Sequence, residues 1–144
     1  MDELLKRFLD LLSKLIPQAV GEHRALVAPI WKKAAELYGS LGAQRGLAAG
    51  EIVEEFQVLR EAVIRLLFEM PPARFGVAFS RSDALHLNRF LDSGVTHASI
   101  GHTDALFFAL FQGNGVPKVP TAQFVTEVEE QLKAIEEELS ATAH

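Results

Sequence analysis

Apolar side chains recur with the period of an α-helix along almost the whole chain. In residues 2–16 one row of apolar positions consists of Leu4, Phe8, Leu11 and Leu15, and a second row lies beside it. Pro17 ends this pattern. The same periodicity predicts further helices over about 19–41, 50–70, 82–111 and 121–141. No stretch alternates with period two for long enough to form a strand, so we predict an all-α fold, a bundle of five or six helices.

Glycine, proline and serine mark the predicted boundaries. Pro29 either kinks the second helix or begins a new one, because proline is tolerated in a first helical turn. Residues 39–50, with four glycines in twelve positions, predict a connection with little helical character. Residues 71–80 and 113–120 predict a loop and a turn. Ser80 or Ser82 is expected to cap the fourth helix, Thr121 the last one, and Gly94 and Gly101 are candidate positions for a bend.

The last predicted helix differs from the others because its apolar residues form a narrow heptad seam. The seam comprises Val125, Val128, Leu132, Ile135 and Leu139. Glutamates fill most of the remaining positions, a pattern typical of a coiled coil. We therefore divide the chain into a helical domain, residues 1–120, and a long amphipathic C-terminal helix, residues 121–144, for dimerisation or connection to an output module. Fewer than three heptads leave open the alternative that the seam docks on its own bundle.

Composition and charge narrow the classes of function. The chain has no cysteine, which excludes disulfides and thiolate metal sites. Its net charge of -5 and its scattered basic residues argue against nucleic acid. The longest apolar run, 106–111, is far shorter than the ~18 residues of a membrane span. Asp2 and Glu3 directly after Met1 do not fit a secretory signal. We expect a cytoplasmic domain without membrane association.

Two segments resemble a known family. Its first motif reads approximately E-[YF]-x-x-L-R-x-x-[VI]-x-R-L, and its second, about twenty residues later, N-x-x-[IL]-D-x-[AG]. The first is matched by Glu55, Phe56, Leu59, Arg60, Val63, Arg65 and Leu66, and the second by Asn88, Leu91, Asp92 and Gly94. The chain from about 20 to 100 thus resembles the N-terminal domain of RsbRD-type stressosome co-antagonists, also found at the front of bacterial sensor histidine kinases. After Gly101 the chain departs from that pattern. The resemblance implies a bacterial, cytoplasmic sensor or protein-interaction domain.

The charged residues of these motifs predict a structural polar network. Arg60 lies at the edge of an apolar stripe of the third helix, and Asn88 and Asp92 share a face of the fourth. A charge near a core requires a partner. We therefore expect Arg60 to pair with Asp92 or Glu55, with Asn88 nearby, and to set the helix register. On this interpretation, Arg60→Ala lowers stability by roughly 2 to 4 kcal/mol.

Other residues are weaker candidates for binding. On one straight helix His97 and His102 would point about 140° apart, so the pair does not predict a metal site. A globin-like haem pocket with His97 as axial ligand beside Phe107, Phe108 and Phe111 is a minor alternative. Trp31 and Tyr38, seven residues apart, are core aromatics by default. Together with His97, Trp31 and Tyr38 define a possible ligand pocket between helices.

Two functions follow as hypotheses. The first is a non-enzymatic signal-transduction input domain that forms a homodimer and relays a signal to a downstream module or protein partner. The second is a small-molecule or haem sensor with a pocket between helices. No Ser/His/Asp set, acid pair or metal-ligand set stands at workable spacing, so we do not expect an enzyme, a cofactor or a metal.

Overall fold

The computed structural model describes residues 2–69, 80–112 and 122–142, which are almost entirely helical. Its α-helices are α1 (Asp2–Leu15), α2 (Arg24–Gln44), α3 (Ala49–Glu69), α4 (Arg81–Phe111) and α5 (Ala122–Thr142), and a 3₁₀ helix, Ile16–Val20, follows α1. The prediction of an all-α bundle is confirmed. The C-terminal helix is not the long one, however: α4 has 31 residues, whereas α5 has 21, as do α2 and α3.

Local sequence accounts for several helix ends. α1 ends one residue before the 3₁₀ helix that contains Pro17. α4 begins at a capping box, in which the Asp83 amide donates to Oγ of Ser80 at 3.1 Å and the Ser80 amide donates to the Asp83 carboxylate at 2.9 Å. Ser80, rather than Ser82, is therefore the cap. The predicted loop at 71–79, the turn at 113–120 and the Thr121 cap lie outside the described residues.

The prediction for residues 39–50 is wrong over 39–44, which form the last turns of α2. The glycines there serve close packing between helices. A Cβ atom at Gly39 would lie 1.8 Å from the carbonyl oxygen of Ala98, and one at Gly101 would lie 1.9 Å from that of Glu36. The backbones of α2 and α4 therefore touch. The actual connection to α3 is 45–48, where Gly46 has a φ of 81°, a conformation that favours glycine.

α2 is the central helix of the bundle and packs against all four other α-helices, with α4 as its main neighbour. The two run in the same direction, since Trp31 near the start of α2 contacts Phe90, and Leu47 beyond its end contacts His102 of α4. α2 starts later than predicted, at Arg24, and Pro29 lies inside it without ending it. None of the helices in the described ranges is both long and apolar enough to cross a bilayer.

The heptad seam of α5 belongs to this same core. Val128, Leu132, Ile135 and Leu139 are buried within the chain, and Val125 is half-buried against them. The partners are side chains of α1 and α2. The seam therefore docks on its own bundle, and the preferred interpretation of it as an intermolecular seam is corrected. The narrow stripe suffices because α5 lies on the outside of the bundle and needs only one buried row.

Candidate interaction site

Arg60 and Asp92 form an ion pair between α3 and α4, joining Nη2 of Arg60 to Oδ1 of Asp92. The Arg60 side chain is 32% exposed and the Asp92 side chain 65% exposed. Nε of Arg60 is buried and has no hydrogen-bond partner. The bridge therefore lies at the edge of the bundle, where ion pairs contribute modestly to stability.

The other two residues of the predicted network form hydrogen bonds with other groups. Nδ2 of Asn88 donates to the Ala84 carbonyl of its own helix at 3.1 Å. Glu55 accepts a hydrogen bond from the hydroxyl of Tyr38 and lies 3.9 Å from Nη1 of Arg45. The structure thus brings Arg60 to Asp92, one of its two expected partners, whereas Glu55 bonds to Tyr38 and Asn88, one turn before Asp92, bonds to its own helix.

Tyr38 is held among aromatic and charged groups between α1, α2 and α3. Its ring meets Phe8 and Phe56 edge to face, with centroid distances of 5.7 and 5.9 Å. Burial, and then the hydrogen bond to Glu55, raise the pKa of Tyr38 well above its usual value. The phenol therefore stays protonated and acts as a hydrogen-bond donor. The shallow pocket beside Tyr38 has a volume of about 50 Å³, which holds only a few water molecules.

The space around Trp31 is filled by the protein's own side chains. Trp31 is 1% exposed, its ring stacks on Phe90 at 4.2 Å, and its indole N–H donates to the Phe90 carbonyl at 2.7 Å. A Cβ atom at Gly94 would lie 2.6 Å from the ring. The predicted ligand pocket of Trp31, Tyr38 and His97 does not form around Trp31, since a close-packed aromatic leaves no room for a ligand.

The two histidines in the middle of α4 bond to protein groups. Nδ1 of His97 lies 2.7 Å from Oε1 of Glu36, and Nε2 of His102, which is buried, lies 2.6 Å from the Leu47 carbonyl oxygen. The described ranges contain no group of three or more side chains that could hold a metal ion. The phenylalanines expected beside His97 are largely exposed, so they do not enclose a haem pocket with it.

An open crevice of about 370 Å³ separates α4 from α5 alongside α2. Its polar lining includes Lys33, Glu36, Asp104 and Glu138. Nζ of Lys33 pairs with the Glu138 carboxylate at 3.0 Å, and Glu36 is engaged by His97. Three of these four charged residues therefore already have a partner within the chain.

The C-terminal end of α4, residues 103–111, is the most unusual surface of the described chain. Its large apolar side chains are exposed: Leu106 (37%), Phe107 (56%), Phe108 (67%), Leu110 (70%) and Phe111 (88%). The residue of this segment that is buried is Ala109, a small one. The segment thus has its large apolar side chains outside, the reverse of an ordinary amphipathic helix.

This segment is exposed because α4 continues past the end of its main neighbour. His102 bonds to Leu47, which already lies beyond the C-terminus of α2, and α3 begins two residues later at Ala49. The nine residues of α4 after His102 extend about 13 Å further. Residues 106–111 lie in the longest apolar run in the sequence. Such a run is ordinarily buried, and its exposure here depends on the relative lengths of packed helices, which the sequence pattern does not specify.

In the described residues, the fold is an all-α bundle with a packed core and an exposed apolar helix end at 106–111. A comparison with protein families, with curated proteins and with solved structures finds no match for the chain.

Proposed function

We propose that the chain is a non-enzymatic interaction domain that serves as the cytoplasmic input module of a bacterial signal-transduction protein. It binds a protein partner through the exposed end of α4 and relays that event to an output module. The observation that carries the proposal is the cluster of five exposed large apolar side chains at 106–111. Apolar patches of several hundred Å² on a soluble protein usually mark an interaction surface.

The arrangement of the two motif segments supports the signalling part of this proposal. The segments resembling the RsbRD-type domain lie on α3 and α4, and they contact each other through the Arg60–Asp92 pair. A Cβ atom at Gly94 of the second motif would lie 2.9 Å from the ring of Phe56 in the first. Phe56 and Arg60 of the first motif therefore meet Asp92 and Gly94 of the second at one helix–helix interface.

The packing offers a physical route for the relay. α4 touches α2 through backbone contacts at Gly39 and Gly101, and α2 also packs against α5. Because close-packed interfaces shift as units rather than deform gradually, a partner that moves α4 would act on α5 through α2. The competing function is a small-molecule sensor. Within the described residues, the open crevice between α4 and α5 is its best candidate site, since the interior beside Trp31 is filled.

Site-specific photo-crosslinking in the natural full-length protein tests the proposal. A photoreactive phenylalanine analogue at Phe108 should give an adduct with a protein, identified by mass spectrometry, in living cells. The same analogue at Lys32, an exposed position on α2, is the control and should give none. Adding Phe111→Asp should remove the adduct without changing the circular dichroism spectrum of the purified chain. If position 108 gives no adduct, or no more than position 32, the proposed function is wrong.

A further inference from the structure

We infer that the partner covering the end of α4 is a second copy of this chain, with the two helix ends paired antiparallel about a two-fold axis. The inference rests on the proposed function, because it names the occupant of the surface on which that function depends. A two-fold contact uses the same patch on both copies, so the patch must be self-complementary in area, shape and charge.

The shape of the patch suits one helix packing against another. At 100° per residue, the exposed apolar side chains 106–108, 110 and 111 cover an arc of about 200° around α4. Phe107 and Phe111 lie at its centre, and Leu106 and Phe108 lie at its edges. The opposite side of the helix carries His102 and Ala109, which are buried. A second helix laid along the Phe107–Phe111 row would cover the centre of the arc and contact both edges.

The exposed area matches that of a modest dimer. The exposed fractions of Phe107, Phe108 and Phe111 add up to about two whole phenylalanine side chains, or about 400 Å². Leu106 and Leu110 raise the total to about 600 Å². Covering most of this patch on two copies removes about 1,000 Å² from water, which is at the lower limit for a specific interface. We therefore expect a dimer that dissociates in the micromolar range rather than an obligate one.

The charge pattern favours a second copy over other occupants. Residues 105–112 contain no charged side chain, and α4 has no lysine or arginine after Arg89. An anionic membrane surface ordinarily requires basic residues beside the apolar face, and the chain has a net charge of -5. A partner selected by charge would find nothing to pair with in the patch. Two copies of an uncharged patch meet without repulsion.

Asp104 fixes the relative direction of the two helices. It is the charged residue nearest to the patch, one turn before Phe108. In a parallel pair the two Asp104 carboxylates would lie side by side. In an antiparallel pair centred near Phe108, each would lie close to Gln112 of the other copy, and the two would be about 12 Å apart along the axis, beyond the screening length at physiological salt.

Sedimentation velocity of the purified chain over micromolar to sub-millimolar concentrations tests the dimer. The wild type should shift from monomer to dimer with concentration, whereas Phe107→Asp combined with Phe111→Asp should remain monomeric with unchanged circular dichroism. At low concentration, where the wild type is also monomeric, the two should have the same melting temperature. Val58→Asp is the matched control, because Val58 is an apolar residue of α3 that is 66% exposed, and this variant should dimerise like the wild type. A wild type that stays monomeric, or a double variant that still dimerises, overturns the inference.

Disulfide trapping tests the antiparallel direction. Because the chain contains no cysteine, an introduced cysteine is the only one that can form a disulfide. Asp104→Cys and Gln112→Cys chains, mixed and mildly oxidised, should form the mixed 104–112 dimer. Predominant 104–104 dimers would overturn the antiparallel arrangement.

The failures of the two proposals are distinguishable: a monomeric chain whose position 108 crosslinks to a different protein overturns the dimer alone. A monomer that binds phosphatidylcholine vesicles through Phe107 would assign the patch to a membrane and would also overturn the dimer.

Discussion

Gly39 of α2 lies directly against the backbone of Ala98 in α4, so that a Cβ atom at position 39 would be 1.8 Å from the Ala98 carbonyl oxygen. One turn away, Gly101 of α4 has the same relationship to the carbonyl of Glu36, and Oγ of Ser40 donates to the Gly101 carbonyl at 3.1 Å. The close α2–α4 contact therefore requires glycine at two positions, one on each helix, because a side chain at either would collide with backbone.

Gly39→Ala and Gly101→Ala should each lower the free energy of unfolding by about 3 kcal/mol or more, because the new methyl group meets backbone that cannot move aside. Urea denaturation followed by circular dichroism measures the change. Gly50→Ala is the control: position 50 lies in the first turn of α3 with no atom near its Cβ, so alanine should stabilise by about 0.5 to 1 kcal/mol. Equal effects at the three positions would contradict the close contact.

The Arg60–Asp92 pair should contribute less than its place in the predicted network suggested. A double-mutant cycle with Arg60→Met and Asp92→Asn should give a coupling energy below about 1 kcal/mol, since the Asp92 side chain is 65% exposed to water. The coupling should shrink further in high salt. A salt-insensitive coupling of roughly 3 kcal/mol would instead show that the pair behaves as a buried bridge, as the sequence-based expectation of 2 to 4 kcal/mol for Arg60→Ala assumed.

Tyr38 should make stability fall at alkaline pH. Its folded-state pKa is raised above the ordinary value of 10.0, mainly by burial, so its contribution is complete below about pH 10 and is lost progressively as pH rises above that. Comparing urea midpoints of wild type and Tyr38→Phe from neutral to alkaline pH isolates this residue from other titrating groups. The variant should lose less stability above pH 10, and parallel curves would contradict the prediction.

The α5 seam should behave as core. Leu132, fully buried, should cost about 2 to 5 kcal/mol when replaced by alanine, because the lost side chain leaves a cavity. Leu110→Ala is the matched control, since Leu110 is 70% exposed, and should change the stability of the monomer by less than about 0.5 kcal/mol. Denaturation at low protein concentration measures both changes. If Leu132→Ala changed the stability as little as Leu110→Ala, the seam would not be part of the core.

The sequence predicted the helices well where a local signal exists. Pro17 lies just after the end of α1, and the Ser80–Asp83 capping box starts α4, because capping and proline effects act within one turn. The prediction of a loop at Gly39 and Gly42 is wrong because it, too, considers only local effects. Locally they weaken a helix, whereas in the fold Gly39 allows two backbones to touch, and a contact with Ala98 is not visible in the sequence near Gly39.

The candidate site was less predictable. Arg60 and Asp92 could be matched because each sits at a defined edge of its own helix, whereas the Tyr38–Glu55 contact joins helices whose crossing no periodicity specifies. The seam of α5 shows the same limit, since one narrow stripe suits either a partner or the chain's own core. The exposed end of α4 depends on where α2 stops, a tertiary property.

The pairing of α2 with α4, rather than with its neighbour in sequence, also affects the rate of folding. The contacts from Trp31 to Phe90 and from Glu36 to His97 join residues 59 and 61 positions apart. Because loop closure precedes such contacts, the bundle should fold more slowly than an up-and-down bundle of equal length. During synthesis α2 emerges well before α4. At about 5 to 20 residues synthesised per second, the apolar face of α2 that packs against α4 stays uncovered for several seconds.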